Sequence, residues 1–321
     1  MEHNKMADGC LVVYKPRGCS SHDIIDKVRR VYKVKCGHAG TLDPMAQGVL
    51  LVFCGRALKL LNFIPPEHLD KTYLMKVSLG STTDSYDATG NVTTTFDQPV
   101  DFSNETLMNS LRTFVGNYDQ MPPIFSAIKV GGKRAYAMAR AGEEVILKSR
   151  KVHVTSIRLV ADYFSDSVRQ LLMRVHCSRG TYVRSIAHDL GQKLGCGGHL
   201  SYLLRERVGK WAFTQAFPYW QIEKGTPFTD TNSFIGCEDI LPYPRLTVNA
   251  EGQQRISCGQ QISRQDIVKL ETDNPELCDM VQIISQAGRL LAIYGTPKNP
   301  SEEQKGSLKL CPVRVFPENE A

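Results

Sequence analysis

The 321-residue sequence predicts an α+β domain with a mixed or antiparallel central sheet and flanking helices, followed by a small β-barrel-like module. Three observations predict it. Strand-length segments, continuously apolar or alternating, recur from Leu11 to Phe213. Helical spacing interrupts them, first after Ser20 and last after Tyr182. Pro242-Tyr243-Pro244 then marks a boundary, and short strand-like pieces separated by turns follow. The expected limits are residues 9–240 for the larger domain and 246–321 for the smaller. At roughly 150 residues per domain, two domains suit this length.

The elements follow in chain order. Leu11-Val12-Val13-Tyr14 stops at Lys15-Pro16-Arg17-Gly18, a strand running into a turn. Ser20-Ser21-His22-Asp23 caps a helix whose apolar positions are Ile24, Ile25, Val28 and Val31. Residues 36–48 read as a Gly-rich loop and residues 49–54 as a buried strand. Residues 71–79 alternate through Tyr73, Met75, Val77 and Leu79, a strand with two unlike faces. Residues 80–90 read as a polar loop and 103–114 as a helix. Lys129-Val130-Gly131-Gly132-Lys133 is a tight turn, and a helix over 135–141 ends at Gly142. Residues 151–161 and 169–177 read as strands. Helical spacing runs from Tyr182 through Val183, Ile186 and Leu190 to Leu194. Leu203-Leu204 and Val208 precede a further strand at 211–213. In the smaller module the strand-like pieces are 259–262, 281–284, 290–294 and 313–316, with polar loops at 273–277 and 295–307.

Composition narrows the function classes. Apolar residues are 42% and charged residues 22% of the chain, ordinary for a globular protein and unlike a disordered or collagen-like chain. No apolar stretch approaches the roughly 20 residues that span a bilayer. No apolar signal core precedes Leu11, so a cytoplasmic protein is expected. The ten cysteines have no two-residue spacing of a zinc or redox motif, and the expectation is reduced thiols with no metal and no cofactor. Charge is uneven. Residues 1–59 hold 10 Lys and Arg against 5 Asp and Glu, and residues 129–210 hold 16 against 6. Two basic segments suit the phosphate backbone of nucleic acid.

One acidic residue stands out chemically. Asp43 lies in Gly40-Thr41-Leu42-Asp43-Pro44, where the following proline keeps it out of the α region. Such a loop can aim a carboxylate into a cleft. The wider string Gly37-His38-Ala39-Gly40-Thr41-Leu42-Asp43-Pro44-Met45-Ala46-Gln47-Gly48-Val49-Leu50 resembles the catalytic motif of the TruB family of pseudouridine synthases. Lys15-Pro16-Arg17-Gly18-Cys19-Ser20-Ser21 and Lys71-Thr72-Tyr73 are similar to two more of its segments. So are Pro122-Pro123-Ile124-Phe125-Ser126-Ala127-Ile128-Lys129, Cys177-Ser178-Arg179-Gly180-Thr181-Tyr182-Val183-Arg184-Ser185 and Gly197-Gly198-His199-Leu200-Ser201-Tyr202-Leu203-Leu204-Arg205. The six occur in the family's order and cover about residues 9–215.

The resemblance implies the pseudouridine synthase fold and isomerisation of uridine at position 55, in the T-loop of tRNA. It implies Asp43 as nucleophile, with Arg184 gripping its carboxylate, and Tyr73 as a catalytic residue against the flipped uracil, its hydroxyl helping to move the ring proton. Tyr182 and Leu203 would line the base pocket, His38 would fill the space left by the flipped nucleotide, and Lys15 would support the catalytic loop. Lys129, Lys133, Arg134, Arg140, Arg179, Arg205 and Arg207 are phosphate-contact candidates. The sequence leaves open whether Asp43 attacks ring C6 or assists departure at C1′. Three pieces of the smaller module, Gly259-Gln260-Gln261-Ile262, residues 288–294 and residues 309–316, resemble a PUA-like domain more loosely. The expected partner is a tRNA T-stem-loop, met by a monomer without guide RNA, membrane or obligatory protein partner. The alternative reading is a non-catalytic tRNA folding factor using the same basic cleft, and a third is the guide-RNA-dependent branch.

Overall fold

The computed structural model describes residues 8–96, 100–126, 128–143, 145–229, 231–272, 275, 278–295 and 310–316. Most of the expected loops at 273–277 and 295–307, and the side chains of Lys129, Arg134 and Arg140, lie outside the described residues.

Strand β1 (Gly9–Lys15) is almost wholly buried. Helix α1 (Ser21–Tyr32) follows, started by a capping box in which the Ser20 hydroxyl accepts from the Asp23 N–H and the Asp23 carboxylate accepts from the Ser20 N–H. Its Ile24, Ile25 and Val28 are buried beneath the sheet. Strand β2 (Cys36–Ala39) occupies the first third of the segment expected to be loop. It pairs antiparallel with β3 (Gln47–Cys54), Cys36 opposite Cys54. The Gly-rich composition hid this strand, whose only buried side chain is Cys36. β3 also pairs antiparallel with β1 along its whole length. Strand β4 (Lys71–Leu79) sends Tyr73, Met75 and Val77 into the core as its alternation predicts.

The chain continues through β5 (Ser81–Thr83), β6 (Val92–Thr95), α2 (Asn104–Arg112), β7 (Gly116–Gln120), the short pair β8 (Lys129–Val130) and β9 (Lys133–Arg134), and α3 (Ala135–Arg140). A long hairpin follows, β10 (Arg150–Ser165) and β11 (Val168–Cys177), then α4 (Val183–Lys193) and β12 (Gly198–Val208). Short elements β13 (Trp211–Ala212), β14 (Phe217–Pro218), α5 (Tyr219–Glu223), β15 (Phe234–Gly236) and α6 (Cys237–Ile240) complete the larger domain. The sheet order is β14-β1-β3-β12-β4-β11-β10-β7, with β2, β13 and β15 added at β3, β12 and β1. The sheet is mixed: β12 runs parallel to β3 and antiparallel to β4. The sequence reading placed only fragments of β12. Its pairing with β4 is irregular after Leu200 and after Arg205, and these shifts break the two-residue period that marks a strand.

The smaller module begins with β16 (Arg245–Val248) and α7 (Ala250–Ser257), followed by β17 (Ile267–Leu270), β18 (Met280–Ser285), β19 (Leu290–Gly295) and β20 (Cys311–Val315). Residues 259–262, expected to be strand-like, instead follow α7. That helix shows little apolar spacing and is started by Asn249, whose side chain accepts from the Gly252 N–H at 2.8 Å. The five strands order as β17-β16-β18-β19-β20, and among the described residues no pairing closes β17 onto β20 into a barrel. Leu246, Val248, Ile256, Val281, Ile283 and Tyr294 form the module's own core. Leu290, Ile293 and Phe316 instead join the apolar cluster of β1 and β3. Among the described residues no helix is long and apolar enough to cross a membrane.

Gly48 is where β3 meets β12. It sits at φ +111, and a Cβ there would lie 2.2 Å from the Arg205 carbonyl oxygen. Gly48→Ala should destabilise the chain by at least about 2 kcal/mol, read as a lower urea midpoint. An unchanged midpoint would show that the β3–β12 contact can spread at little cost.

Candidate active site

Asp43 sits at the tip of the loop between β2 and β3, with its side chain 35% exposed. Three contacts hold the loop. The Ser21 hydroxyl, at the start of α1, donates to the Leu42 carbonyl and accepts from the Leu42 N–H at 2.8 Å. The Gly18 N–H donates to the Pro44 carbonyl at 2.8 Å. The Ala46 N–H turns back to the Asp43 carbonyl at 3.0 Å. The turn after β1 and the first residue of α1 thus fix the height and direction of the carboxylate.

Arg184, on the first turn of α4, meets that carboxylate with two donors. Its Nε lies 2.9 Å from Oδ2 and its Nη2 donates to Oδ1 at 3.2 Å, a paired geometry that fixes orientation as well as charge. The rest of the guanidinium is committed too. Nη1 donates to the Ser85 carbonyl at 3.0 Å and lies 3.6 Å from Asp87 Oδ2, and Nη2 also donates to the Phe125 carbonyl at 2.9 Å. The start of α4 is held in turn by Gln120, whose Oε1 accepts from the Tyr182 N–H at 2.7 Å and whose Nε2 donates to the Tyr182 carbonyl at 3.0 Å.

The sequence reading passed over these supports. Ser85 and Asp87 lie in the segment read as a polar loop, and Asp87 is 3% exposed. Its Oδ1 accepts from the Ser85 hydroxyl, the Thr89 N–H and the Thr89 hydroxyl. A buried Asp cannot be told from a solvated one by loop composition, although Asp87-Ala88-Thr89 permits the local turn. Gln120 gave no signal.

Behind the loop lies a buried cationic layer. Lys15 is fully buried, and its ammonium donates to the carbonyls of Pro16 and Cys19 at 2.9 and 2.7 Å. It therefore braces the turn after β1. Expected on a phosphate, Arg205 is instead fully buried and donates to Val49, Gly40 and Thr41 carbonyls at 2.7, 2.9 and 3.4 Å. It also interacts with the Tyr73 hydroxyl. β12 places it opposite Tyr73, facing inward, which a sequence rich in basic residues did not disclose. Burial, followed by the Arg205 charge, lowers the Lys71 pKa to about 8, and its ammonium donates to the Leu69 carbonyl.

Tyr73 and Leu203 are buried with Leu42 and Met45 in one apolar cluster. Burial pushes the Tyr73 hydroxyl up to about 12. Tyr182 caps α4 and is partly exposed, its hydroxyl raised by burial. His38 is half-buried on β2 with its pKa lowered by burial and then by Arg205, and its buried Nδ1 has no partner among the described residues. Arg179 and Arg207 are exposed. Lys133 is exposed and pairs with Glu143 at 3.0 Å. Among the described residues no group of three or more His, Cys, Asp or Glu side chains is placed to hold a metal.

The site is thus a loop-borne carboxylate gripped by a buried guanidinium, beside aromatic and apolar side chains. The model of the TruB family pseudouridylate synthase N-terminal domain matches residues 28–183. The tRNA pseudouridine synthase B of Syntrophotalea carbinolica is 36% identical over 311 residues, covering 96% of this chain and 98% of that protein. The chain belongs to the TruB family of pseudouridylate synthases. The TruB relative from Thermotoga maritima, also a tRNA pseudouridine synthase B, is 36% identical over 298 residues, 92% of either chain. Among solved structures, a Cbf5-Nop10-Gar1 complex gives a TM-score of 0.66 at 23% identity, covering 98% of this chain and 86% of that one. That likeness is one of fold alone.

Two measurements test the buried cations. Arg205→Met leaves three backbone carbonyls without this donor, that of Val49 in a buried contact, at about 1–3 kcal/mol for each that water cannot reach. Unfolding free energy should fall by about 3 kcal/mol or more while the salt dependence of tRNA binding keeps its slope; a shallower slope with unchanged stability would restore the phosphate role. Lys71 holds its proton less tightly folded than unfolded, so the unfolded chain binds more protons between pH 8 and 10.5. The stability that Lys71 costs at neutral pH is recovered as pH rises through that window. Wild type should gain on Lys71→Met from pH 8 to 10, and a difference independent of pH would refute the burial of the charge.

Proposed function

We propose that this chain isomerises uridine to pseudouridine at position 55, in the T-loop of tRNA, with Asp43 as the nucleophile. The observation that carries the reading is the Asp43 carboxylate, reachable from solvent yet held by both Nε and Nη2 of a buried Arg184. In the reaction the N1–C1′ bond breaks and a C5–C1′ bond forms. The proton on C5 leaves and N1 takes one up, so mass is unchanged and no electrons are exchanged. The chemistry therefore asks for a positioned carboxylate and a site that holds the free ring in place.

The geometry supports a division of labour. A target uridine stacked in its loop is out of reach, so the base has to be extruded. Tyr73, Leu203 and Tyr182 supply the walls that receive it, and His38 fills the vacated space. With its pKa lowered by burial, His38 suits packing better than charge. Tyr73, raised to about 12, stays a phenol at neutral pH and offers a ring face and a donor; a general base would need a pKa nearer the operating pH. Exposed Arg179 and Arg207, together with Lys129, Lys133, Arg134 and Arg140 earlier in the same basic stretch, are proposed to meet phosphates. Residues 246–321 are proposed as a PUA-like module whose Leu290, Ile293 and Phe316 brace the larger domain. The enzyme is proposed to act as a cytoplasmic monomer without a guide RNA.

The test uses purified chain alone and a T-stem-loop transcript tritiated at uridine C5. Wild type should release tritium at the target position. Asp43→Asn should lose at least about 10³-fold in rate while its Kd for the transcript stays within about threefold. Release by Asp43→Asn at the wild-type rate would remove the nucleophile, and binding without release by wild type would leave a folding factor.

A further inference from the structure

Tyr86 lies between the two residues that hold Arg184 from above. The Ser85 carbonyl accepts from Nη1 at 3.0 Å, and Asp87 Oδ2 lies 3.6 Å from the same nitrogen. Tyr86 itself adopts φ +63, a left-handed conformation uncommon for a bulky side chain. Such a conformation persists only where the surroundings enforce it. Here the ring lies flat on the His188 imidazole, with centroids 3.8 Å apart and planes 12° apart. His188 is four residues after Arg184 on α4, one turn along the same face. Backbone bonds tie the other side of the loop to β12: Leu200 N–H donates to the Tyr86 carbonyl at 2.9 Å, and Ala88 N–H to the Leu200 carbonyl at 2.8 Å.

We propose that the Tyr86–His188 stack is a positioning device, which locks the 85–87 loop to α4 and so holds the Arg184 guanidinium square to the Asp43 carboxylate. The inference rests on the reading of Asp43 as nucleophile. The loop reaches Arg184 through one carbonyl and one carboxylate, both next to Tyr86 in sequence. With the ring gone, the left-handed residue relaxes, and the Ser85 carbonyl swings with it. Arg184 would then keep its Phe125 contact but lose two of its restraints, and Asp43 would be presented in several orientations instead of one. Neither residue is among those proposed to receive the base, so substrate affinity is carried elsewhere. Burial lowers the His188 pKa, which makes the contact a ring-on-ring packing that an uncharged aromatic can replace.

Five variants test this on the full chain with a T-stem-loop transcript. Tyr86→Ala and His188→Leu should lower kcat about 10- to 100-fold, the scale of a small misplacement at the reacting centre, with KM within about twofold. Tyr86→Phe and His188→Phe should retain most of kcat. Tyr86→Gly relieves the backbone strain without restoring a ring, and should fall with Tyr86→Ala; recovery in Tyr86→Gly would show strain alone to be at issue and overturn the stacking role. The ¹⁵Nε–H resonance of Arg184 in free enzyme gives a readout independent of turnover. It should be sharp and slowly exchanging in wild type and Tyr86→Phe, and broadened in Tyr86→Ala. Wild-type kcat in Tyr86→Ala, beside an inactive Asp43→Asn, would overturn this inference alone. An active Asp43→Asn would overturn the reading beneath it.

Discussion

The constraint on which this molecule depends is a charge pair that is half in water and half out of it. Arg184 is 7% exposed, whereas the Asp43 carboxylate it grips is 35% exposed. Burying a guanidinium is costly unless its donors are all used, and here Asp43, Ser85, Phe125 and Asp87 share them. The asymmetry has a geometric consequence. The cation cannot leave, so the anion stays aimed, yet the anion retains an open side. A fully buried pair would be inert, and a fully exposed one would have neither fixed geometry nor strength.

Much of the fold exists to present that pair. Asp43 stands on a loop between two strands, and Arg184 stands on the first turn of a helix from a distant part of the chain. They meet because β3 and β12 run side by side at Gly48 and Arg205, with Arg205 filling the space beneath the loop. Lys15, Lys71 and Arg205 all donate to backbone carbonyls. Cations so used act as rigid hydrogen-bond donors to irregular backbone that no strand partner satisfies. The loop is thus stiffened from below by charge and from the sides by Ser21 and Gly18.

The sequence was informative where function depends on local pattern. Asp43-Pro44 within its glycine-rich surroundings, the capping residues of α1, the alternation of β4 and the helical spacing after Tyr182 are each visible because neighbours along the chain decide them. What was hidden depends on partners far away in sequence. Whether Asp87 is solvated or buried is decided by Arg184, 97 positions later. Whether β2 is strand or loop is decided by β3. α7 escaped notice because it has few apolar positions and is held by a side-chain cap. Arg205 was misplaced for the same reason that makes basic stretches persuasive: side-chain charge is legible in a sequence, and side-chain direction is not.

That last point changes how the charge of this protein should be understood. The stretch 129–210 is the most basic of the chain, but several of its arginines face inward or are already neutralised. Arg169 pairs with Asp162, Arg174 with Glu206 and Arg184 with Asp43, and Arg205 is buried. The field left for a polyanion is weaker than the sequence count, and it is less evenly spread. It is carried by the remaining cations, including Arg179 directly before α4 and Arg207 near the end of β12. Arg179 is five positions from Arg184, so attraction for a phosphate backbone and the geometry of the carboxylate share one short segment. Long-range attraction acts through these outer cations, while the internal arginines, already committed to Asp43 and to backbone carbonyls, set the geometry of the carboxylate and its loop.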